Sequence, residues 1–372
     1  MLKKLLLGVG FLSGSVIGAG VFALPYVFYH SGWLISSFYV VVFTTIVIIS
    51  HIMYAEVVEA TPGEHRLVGF SRIYLGKFLE LVATIVSPIG LLFMLTIYLV
   101  LGEKFILLIA PNSHSLFAFI LIWLLGTMVI FWKTSQLAIA ELIGTVSIAA
   151  IMFLIFGYGV RNLSGIFNMP MANWSLLFLP YGAVLFSLWG RTAIPPLVRF
   201  FRDSNQIKLI NPSIILGALV PGVLYTLFII GAINLTAPDV AESSVSGLAA
   251  ALPVGAVWII GILGLLAILT SYAVIGKNIH QTVIFDVKQK PWVGAAIVGL
   301  VPLSLYFLGF KSFISLISVV GGVFLSIEGL LIAQLWRKVK LERATWSWAS
   351  AVFFWILVII FFGGILYEIF YH

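Results

Sequence analysis

Long apolar stretches constrain the fold of this chain more than any other feature of its sequence. Apolar residues make up 62% of its 372 residues and charged residues only 9%, whereas a soluble domain carries about 25% charged residues. A helix needs about 20 apolar residues to cross a membrane. The pattern predicts eleven such helices, at about residues 5–29, 33–55, 78–101, 114–131, 137–160, 174–198, 211–234, 254–276, 292–309, 312–336 and 346–370. The expected fold is therefore all-α and polytopic.

The basic residues divide unevenly between the two sets of connecting loops. Three fall on one side of the predicted membrane: Lys104, Arg161 and Lys311. Sixteen fall on the other side: Lys3, Lys4, Arg66, Arg72, Lys77, Lys133, Arg199, Arg202, Lys208, Lys277, Lys288, Lys290, Arg337, Lys338, Lys340 and Arg343. Cytoplasmic loops carry the excess of Lys and Arg. We therefore expect a bacterial-type inner (plasma) membrane protein with a cytoplasmic N-terminus and an external C-terminus. The basic loops set this topology and meet anionic lipid rather than nucleic acid.

Two of the predicted helices are interrupted by glycine and proline. In the first helix, residues 14–25 hold three glycines and a proline, which cost about 1 and 3 kcal/mol respectively inside a helix. In the sixth, residues 190–195 repeat the pattern Gly-x-x-Ala-Leu/Ile-Pro that residues 20–25 carry. Lipid offers no partners to backbone groups freed by a break, so a break must be buried in protein or line a cavity. Ordinary kinks or close-packing glycines are the alternative reading.

The position of the two breaks predicts an inverted repeat. One break opens helices 1–5 and the other opens helices 6–10, and an odd number of helices reverses the orientation of the second unit. Such a pair of interrupted helices is typical of secondary transporters. We expect a first five-helix repeat (1–160), a second inverted repeat (174–336) and an eleventh helix (346–372) in one membrane domain. The N–H and carbonyl ends of broken helices suit a carboxylate and a cation, and together suit a zwitterion.

The residues at the breaks resemble the amino acid/polyamine/organocation superfamily, and most closely the hydroxy- and aromatic-amino-acid permeases and their amino acid/auxin permease relatives. The resemblance runs from about residue 5 to residue 370. In the first helix it rests on Gly14, Ser15, Ile17, Gly18, Ala19, Gly20, Phe22, Ala23, Leu24 and Pro25. In later helices it rests on Phe186, Ser187, Leu188, Trp189, Gly190, Ile194 and Pro195, with a weaker match at Thr270, Ser271 and Tyr272.

The resemblance implies a 5+5 inverted topology, one extra helix and alternating access driven by an ion gradient. The implied ligands of a substrate carboxylate are N–H groups near Gly18, Ala19 and Gly20. The implied ligands of its amino group are carbonyls and hydroxyls near Ser15, Val16, Phe186 and Ser187. A family-type sodium site would use carbonyls near Gly14 and Ile17 with the hydroxyls of Thr270 and Ser271. These hydroxyls have an alternative partner, the carbonyl of the preceding turn. Tyr98 and Trp189 are candidate pocket walls.

Ionisable residues inside the membrane are functional candidates by default. The aromatic permeases tend to read Gly-His before the Ile-Pro of the sixth helix, but Arg191 follows Gly190 here. This departure weakens the case for aromatic specificity and for a histidine proton step. Arg191 is expected to bind an anionic substrate group, or to pair with Glu328 or Glu56 in a gate. Glu328 is also the leading candidate for proton coupling, with a structurally satisfied buried charge as its alternative.

Other kinds of chemistry have no support in the sequence. The chain has no cysteine, its histidines are scattered and it has no phosphate-binding loop, so metal chemistry and ATP-driven transport are not expected. We expect no catalytic residue, no cofactor and no obligatory protein partner. The prediction is a secondary active permease for an amino acid, coupled to protons or sodium. A ligand-sensing receptor subunit of the germinant type on the same fold is the alternative, and a channel or enzyme fits least.

Overall fold

All regular elements in the described part of this computed structural model are helical, in agreement with the predicted all-α class. The structure describes residues 1–129, 134–161, 163–285 and 289–371. Lys133 and Lys288, both assigned above to the cytoplasmic side, lie outside the described residues. Within the described residues, seven helices are long and apolar enough to cross a membrane, and one bent pair of helices makes up to eight.

The first half of the chain is built around a broken helix. Its elements are α1 (Leu2–Val16), α2 (Leu24–Ser31), α3 (Trp33–Ala60), α4 (Leu67–Tyr74), α5 (Gly76–Ile109), α6 (Ser115–Val129), α7 (Thr134–Gly159) and α8 (Ser164–Phe167). Between α1 and α2 the chain is extended at Ile17 and Gly18 and then forms a short 3₁₀ segment, Ala19–Ala23. The axes of the two parts differ by 53°. Pro25 lies in the first turn of α2, where a missing N–H leaves no hydrogen bond unmade.

The second half begins with another broken helix. Its elements are α9 (Pro180–Leu188), α10 (Ile194–Asp203), α11 (Ile210–Thr236), α12 (Leu248–Ala251), α13 (Val254–Phe285), α14 (Pro291–Phe307), α15 (Phe313–Val319), α16 (Ser326–Glu342) and α17 (Trp348–Tyr371). At the break, Trp189 is extended and a 3₁₀ turn at Arg191–Ala193 leads into α10. A π-helical segment, Val320–Leu325, joins α15 to α16.

The predicted helices all have counterparts, with differences at their ends. The predicted helices 114–131 and 292–309 correspond to shorter apolar helices, Ser115–Met128 and Pro291–Phe307. Helix α5 extends well beyond the predicted 78–101 because its last turns, which contain Glu103 and Lys104, stay hydrogen-bonded as helix. The short amphipathic helix α4 and the π-helical segment were not predicted. A π-helical turn is rare and frequently marks a functional site.

The helices pack closely where glycines face each other. A Cβ atom added to Gly231 of α11 would lie 2.6 Å from the carbonyl oxygen of Ile155 in α7, so only glycine permits this crossing. Helix α1 lies against α11, and the hydroxyl of Ser13 donates to the carbonyl of Gly217 at 3.0 Å. Close approach at small residues is the usual packing mode of membrane helices. Residues at both breaks are buried, including Ala19–Ala23 at the first and Arg191 and Ala193 at the second.

Candidate functional site

The two breaks contact each other at Gly20. A Cβ atom at Gly20 would lie 2.8 Å from the Cα atom of Ser187 and equally close to the ring of Phe186. The hydroxyl of Tyr225 lies 3.0 Å from the carbonyl oxygen of Val16 and 2.9 Å from that of Ser187. It carries one proton, so it donates to one of these carbonyls at a time. Tyr225 of α11 therefore bridges the carbonyl ends of the two broken helices.

A cavity of about 150 Å³ opens beside the joined breaks. Most of the residues predicted to bind substrate line it: Ser15, Val16, Gly18, Ala19, Gly20, Tyr98, Phe186, Trp189 and Arg191. Four of the residues predicted to couple ions line it as well: Gly14, Ile17, Ser271 and Glu328. Residues as far apart in sequence as Gly14 and Glu328 thus share one cavity. Its chemistry combines helix ends, aromatic rings and a buried ion pair.

Two predicted site residues are not among those that line the cavity. The hydroxyl of Ser187 donates to the carbonyl of Ala183 at 2.6 Å. The hydroxyl of Thr270 donates to the carbonyl of Ala267 at 3.0 Å. Both hydroxyls are thus satisfied within their own helix, as serine and threonine in apolar helices commonly are. Ser187 still presents its backbone carbonyl to Tyr225.

Arg191 and Glu328 form a buried, bidentate ion pair at the cavity wall. The Nε and Nη2 atoms of Arg191 donate to the two carboxylate oxygens of Glu328 at 2.8 and 2.7 Å. The same carboxylate accepts from the hydroxyl of Ser87 at 2.7 Å and from the indole N–H of Trp189 at 3.3 Å. Of the two predicted partners of Arg191, the structure brings Glu328 to it. Glu56 instead pairs with Lys340 at 2.8 Å.

Several residues at the site were not predicted. Ser87 of α5, Thr192 and Glu141 line the cavity. His51 of α3 is fully buried beside Trp189, with ring centroids 5.7 Å apart, and neither ring nitrogen has a hydrogen-bond partner in the described structure. In the sequence, His51 is a single histidine near the end of a predicted membrane helix, which gives no reason to place it at a site. Only the fold reveals its position at the second break. Tyr225 carries no sequence signal because a lone tyrosine in an apolar helix usually serves packing.

Contacts along α1, α2 and α11 show what lies beyond the breaks, on the side away from the N-terminus. Ser13 meets Gly217, Val16 meets Tyr225 and Phe22 meets Phe228, so α11 runs in the same direction as the first broken helix. Beyond the breaks, Phe22 makes edge-to-face contacts with Phe105 at 5.3 Å and with Phe228 at 5.5 Å. These three rings, which we call the aromatic plug, are at most 1% exposed.

The other end of the cavity reaches the surface. Thr192 and Glu141 line the cavity and are exposed. Glu141 lies one turn before Thr145, whose hydroxyl donates to the carbonyl of Gly14 at 3.1 Å. The mouth therefore lies on the side of the breaks that carries the N-terminus. Within the described residues, the cavity thus reaches the surface on this side, and the aromatic plug is packed beyond the breaks on the other side.

Comparisons with known proteins identify a family and a fold. A family model described as the tryptophan/tyrosine permease family matches residues 1–252. No curated protein matches the chain at a significant level.

Solved structures match over almost the whole chain. MhsT in complex with L-phenylalanine superimposes with a TM-score of 0.68 and 17% identity, over 97% of each chain. Mhp1, a nucleobase-cation-symport-1 family transporter, matches in a closed conformation with bromovinylhydantoin bound (TM-score 0.62, 12% identity, 97% of this chain and 90% of that chain). Its inward-facing conformation matches with a TM-score of 0.60 and 11% identity, over 99% and 89% of the two chains. At these identities the likeness establishes a shared fold.

Proposed function

The chain belongs to the tryptophan/tyrosine permease family, and we propose that it is a secondary active transporter that carries an amino acid across the membrane together with a cation. Family membership makes the protein a multi-pass membrane transporter rather than an enzyme. One observation carries the finer proposal. The cavity beside the two breaks reaches exposed residues on the side that carries the N-terminus, whereas the rings of the aromatic plug are fully packed beyond the breaks. We infer that the plug closes that end.

The proposed topology has eleven membrane spans. The seven long apolar helices, the bent pair α1–α2, the shorter helices α6 and α14 and the broken helix α9–α10 supply them. We propose that residues 1–160 and 174–336 are inverted five-helix repeats and that residues 346–372 form an added helix. We also propose a bacterial inner membrane location with a cytoplasmic N-terminus and an external C-terminus, on the uneven distribution of Lys and Arg.

The chemistry of the cavity favours a zwitterionic amino acid with an apolar or aromatic side chain. The first N–H groups of a helical segment lack partners inside it, so those near Gly18 and Gly20 suit the substrate carboxylate. The carbonyls of Val16 and Ser187 suit its ammonium group, since Tyr225 can donate to only one of them at a time. Aromatic rings line the remaining wall: Tyr98, Phe186, Trp189 and Phe324. Arg191 does not exclude an aromatic substrate, because Glu328 neutralises its charge.

Two coupling sites are proposed for the cation. Sodium would bind near the carbonyls of Gly14 and Ile17 with the hydroxyls of Ser271 and Thr270, and Thr270 would have to turn away from its bond to Ala267. A proton would bind at Glu328. Alternating access would follow from rocking of the broken helices against the remaining helices. This motion would open the end at the aromatic plug and close the mouth.

Transport assays in liposomes test this proposal. Purified protein would be reconstituted, imposed proton and sodium gradients would be applied separately, and accumulation of radiolabelled amino acids would be measured with L-tryptophan, L-tyrosine and L-phenylalanine first. We expect accumulation of at least one of them under one gradient and none without a gradient. Binding of an amino acid without accumulation under either gradient would instead favour the ligand-sensing receptor.

A further inference from the structure

The buried ion pair at the cavity wall connects parts of the molecule that the proposed transport cycle must separate. Arg191 belongs to the second broken helix, whereas Glu328 lies in the first turn of α16. Ser87 of α5 holds the same carboxylate from a third element. Tyr225 ties the second broken helix to the first. The pair therefore links the joined breaks to α5 and α16 beside the cavity.

The two charges of this pair depend on each other. The side chains of Arg191 and Glu328 are only 10% and 6% exposed. A buried charge without a partner is very costly, and a pair broken on one side leaves such a charge behind. If a ligand binds one member of the pair, the other member must therefore either find a new partner or become neutral.

The substrate itself carries the group that can replace Glu328. A guanidinium holds a carboxylate through two parallel hydrogen bonds, and an amino acid presents the same carboxylate chemistry as the glutamate side chain. A carboxylate accepts about four hydrogen bonds. Arg191 would supply two of them, and N–H groups of the first break would supply the others. The substrate and Glu328 thus compete for one cation.

We propose that the substrate carboxylate displaces Glu328 from Arg191 and that Glu328 then takes up the coupling proton. This inference rests on the proposed function and commits its coupling ion to a proton. An O–H bond forms on a carboxylate oxygen of Glu328, and the proton comes from a hydronium ion that enters by the open mouth and leaves as neutral water. The empty site is neutral, with one guanidinium and one carboxylate. The loaded site carries one additional positive charge, which crosses the membrane with the zwitterion.

Linkage makes this exchange a coupling mechanism. Because proton and substrate each favour the state in which the pair is open, each must raise the affinity of the other by the same factor. Without substrate, Arg191 occupies the carboxylate and keeps the proton off, so the protein does not leak protons. Without a proton, displaced Glu328 would be an unpaired buried charge, so the substrate alone binds weakly.

Other ionisable groups also face the pair and must be tested. His51 and Tyr54 of α3 lie close enough to Arg191 to interact with it electrostatically. Arg199 of α10 interacts electrostatically with Tyr54. Glu141 lines the cavity. His51 is the strongest competitor as a proton acceptor because both of its ring nitrogens lack partners. A second carboxylate–cation pair, Glu56 with Lys340, provides a matched control. Its glutamate side chain is 35% exposed and lies outside the cavity lining.

Proton uptake on substrate binding tests the proposal directly. Purified protein in weakly buffered solution with a pH-sensitive dye would receive L-tryptophan, or the amino acid selected by the transport screen, and then its carboxamide. We expect about one proton taken up per bound amino acid and none with the carboxamide, which cannot replace Glu328. Glu328→Gln should abolish proton uptake and accumulation under a proton gradient while retaining substrate exchange across the liposome membrane.

Control variants make the outcome decisive. Glu56→Gln should behave as wild type. If Glu328→Gln folds poorly, Glu328→Asp is the second test variant, and it should still take up a proton because it keeps the carboxylate. Loss of proton uptake in His51→Gln but not in Glu328→Gln would place the proton on His51 and overturn the proposal. The proposal would also be overturned if the wild-type protein bound its amino acid without proton uptake and accumulated it under a sodium gradient alone. That result would leave the proposed transport function intact. Absence of any amino-acid transport would instead reject the proposed function itself.

Discussion

Gly20 is the residue at which the two breaks have no room for a side chain. Its missing Cβ atom would lie 2.8 Å from the Ser187 backbone. We expect Gly20→Ala to weaken substrate binding by about tenfold or more, roughly 1.4 kcal/mol, because the carbonyl ends of the two helices must move apart. Calorimetric titration with the transported amino acid measures this change.

A second glycine of the same helix serves as the control. Gly10 of α1 is exposed and has no atom near its Cβ position. Gly10→Ala should leave substrate affinity unchanged. It should raise the free energy of unfolding by about 1 kcal/mol, because alanine has a higher helix propensity than glycine. Equal affinities for the two variants would show that the contact between the breaks does not shape the site.

Cavity residues could be named from the sequence where their type is unusual inside a membrane helix. They could not be named where their role depends on which helices become neighbours. A charge inside an apolar helix is conspicuous, so Arg191 and its candidate partner Glu328 could be named before the fold. The glycines of the first break were conspicuous for the same reason. Tyr225 and His51 were not, because their roles depend on which helices become neighbours. The sequence left two partners open for the Thr270 hydroxyl, and the fold shows it bonding within its own helix.

At the scale of elements, the contact between α9 and the end of α15 sets the position of the second break. A Cβ atom at Gly182 would lie 2.7 Å from the Cα atom of Ser318. Because the neighbouring atom belongs to the backbone, the clash can be relieved only by moving one helix away from the other. We expect Gly182→Ala to lower stability by about 1–3 kcal/mol, the usual cost of overpacking. It should also reduce transport, because α9 carries Phe186 into the cavity.

Thermal unfolding in detergent checks the stability change. Gly222→Ala in α11 is the matched control, since its Cβ position has no neighbour within 4 Å. The control should unfold at the wild-type temperature or above it. A Gly182→Ala protein as stable as this control would mean that α9 and α15 can shift apart without penalty.

The elements themselves were largely predictable, because apolar length and interruptions by glycine and proline are local properties. The π-helical segment was not. Residues 320–325 contain two adjacent glycines, but the pattern does not distinguish a π-helical turn from a close-packing site. Tertiary contacts decide between them, and here Glu368 of α17 packs against Gly322. Helix ends were also uncertain, since a membrane helix continues into the polar interface without a change of backbone geometry.

At the scale of the whole molecule, we propose that the aromatic plug separates the site from one side of the membrane. The chain has no cysteine, so Thr192→Cys provides a single reporter in the open mouth. A membrane-impermeant maleimide should label it only from the side that carries the N-terminus. Adding Phe105→Ala should permit labelling from both sides, because a gap opens between Phe22 and the surrounding helices.

Loss of a buried ring elsewhere controls for general loosening. Phe119 of α6 is fully buried and stacks on Tyr306, away from the cavity. Phe119→Ala and Phe105→Ala should each cost about 3–5 kcal/mol of stability, but only the latter should change the side from which Thr192→Cys is labelled. One-sided labelling in the Phe105→Ala protein would show that other groups close this end.

The phenol of Tyr225 has a consequence for how the molecule moves. One hydroxyl spans the carbonyl ends of both broken helices, each within 3.0 Å, and Gly20 leaves no gap between them. Separate rotation of either segment would break this contact and open a gap at Gly20. We therefore expect the two broken helices to move together, with the hinges of the transport cycle in the loops and helix ends around them rather than at the breaks.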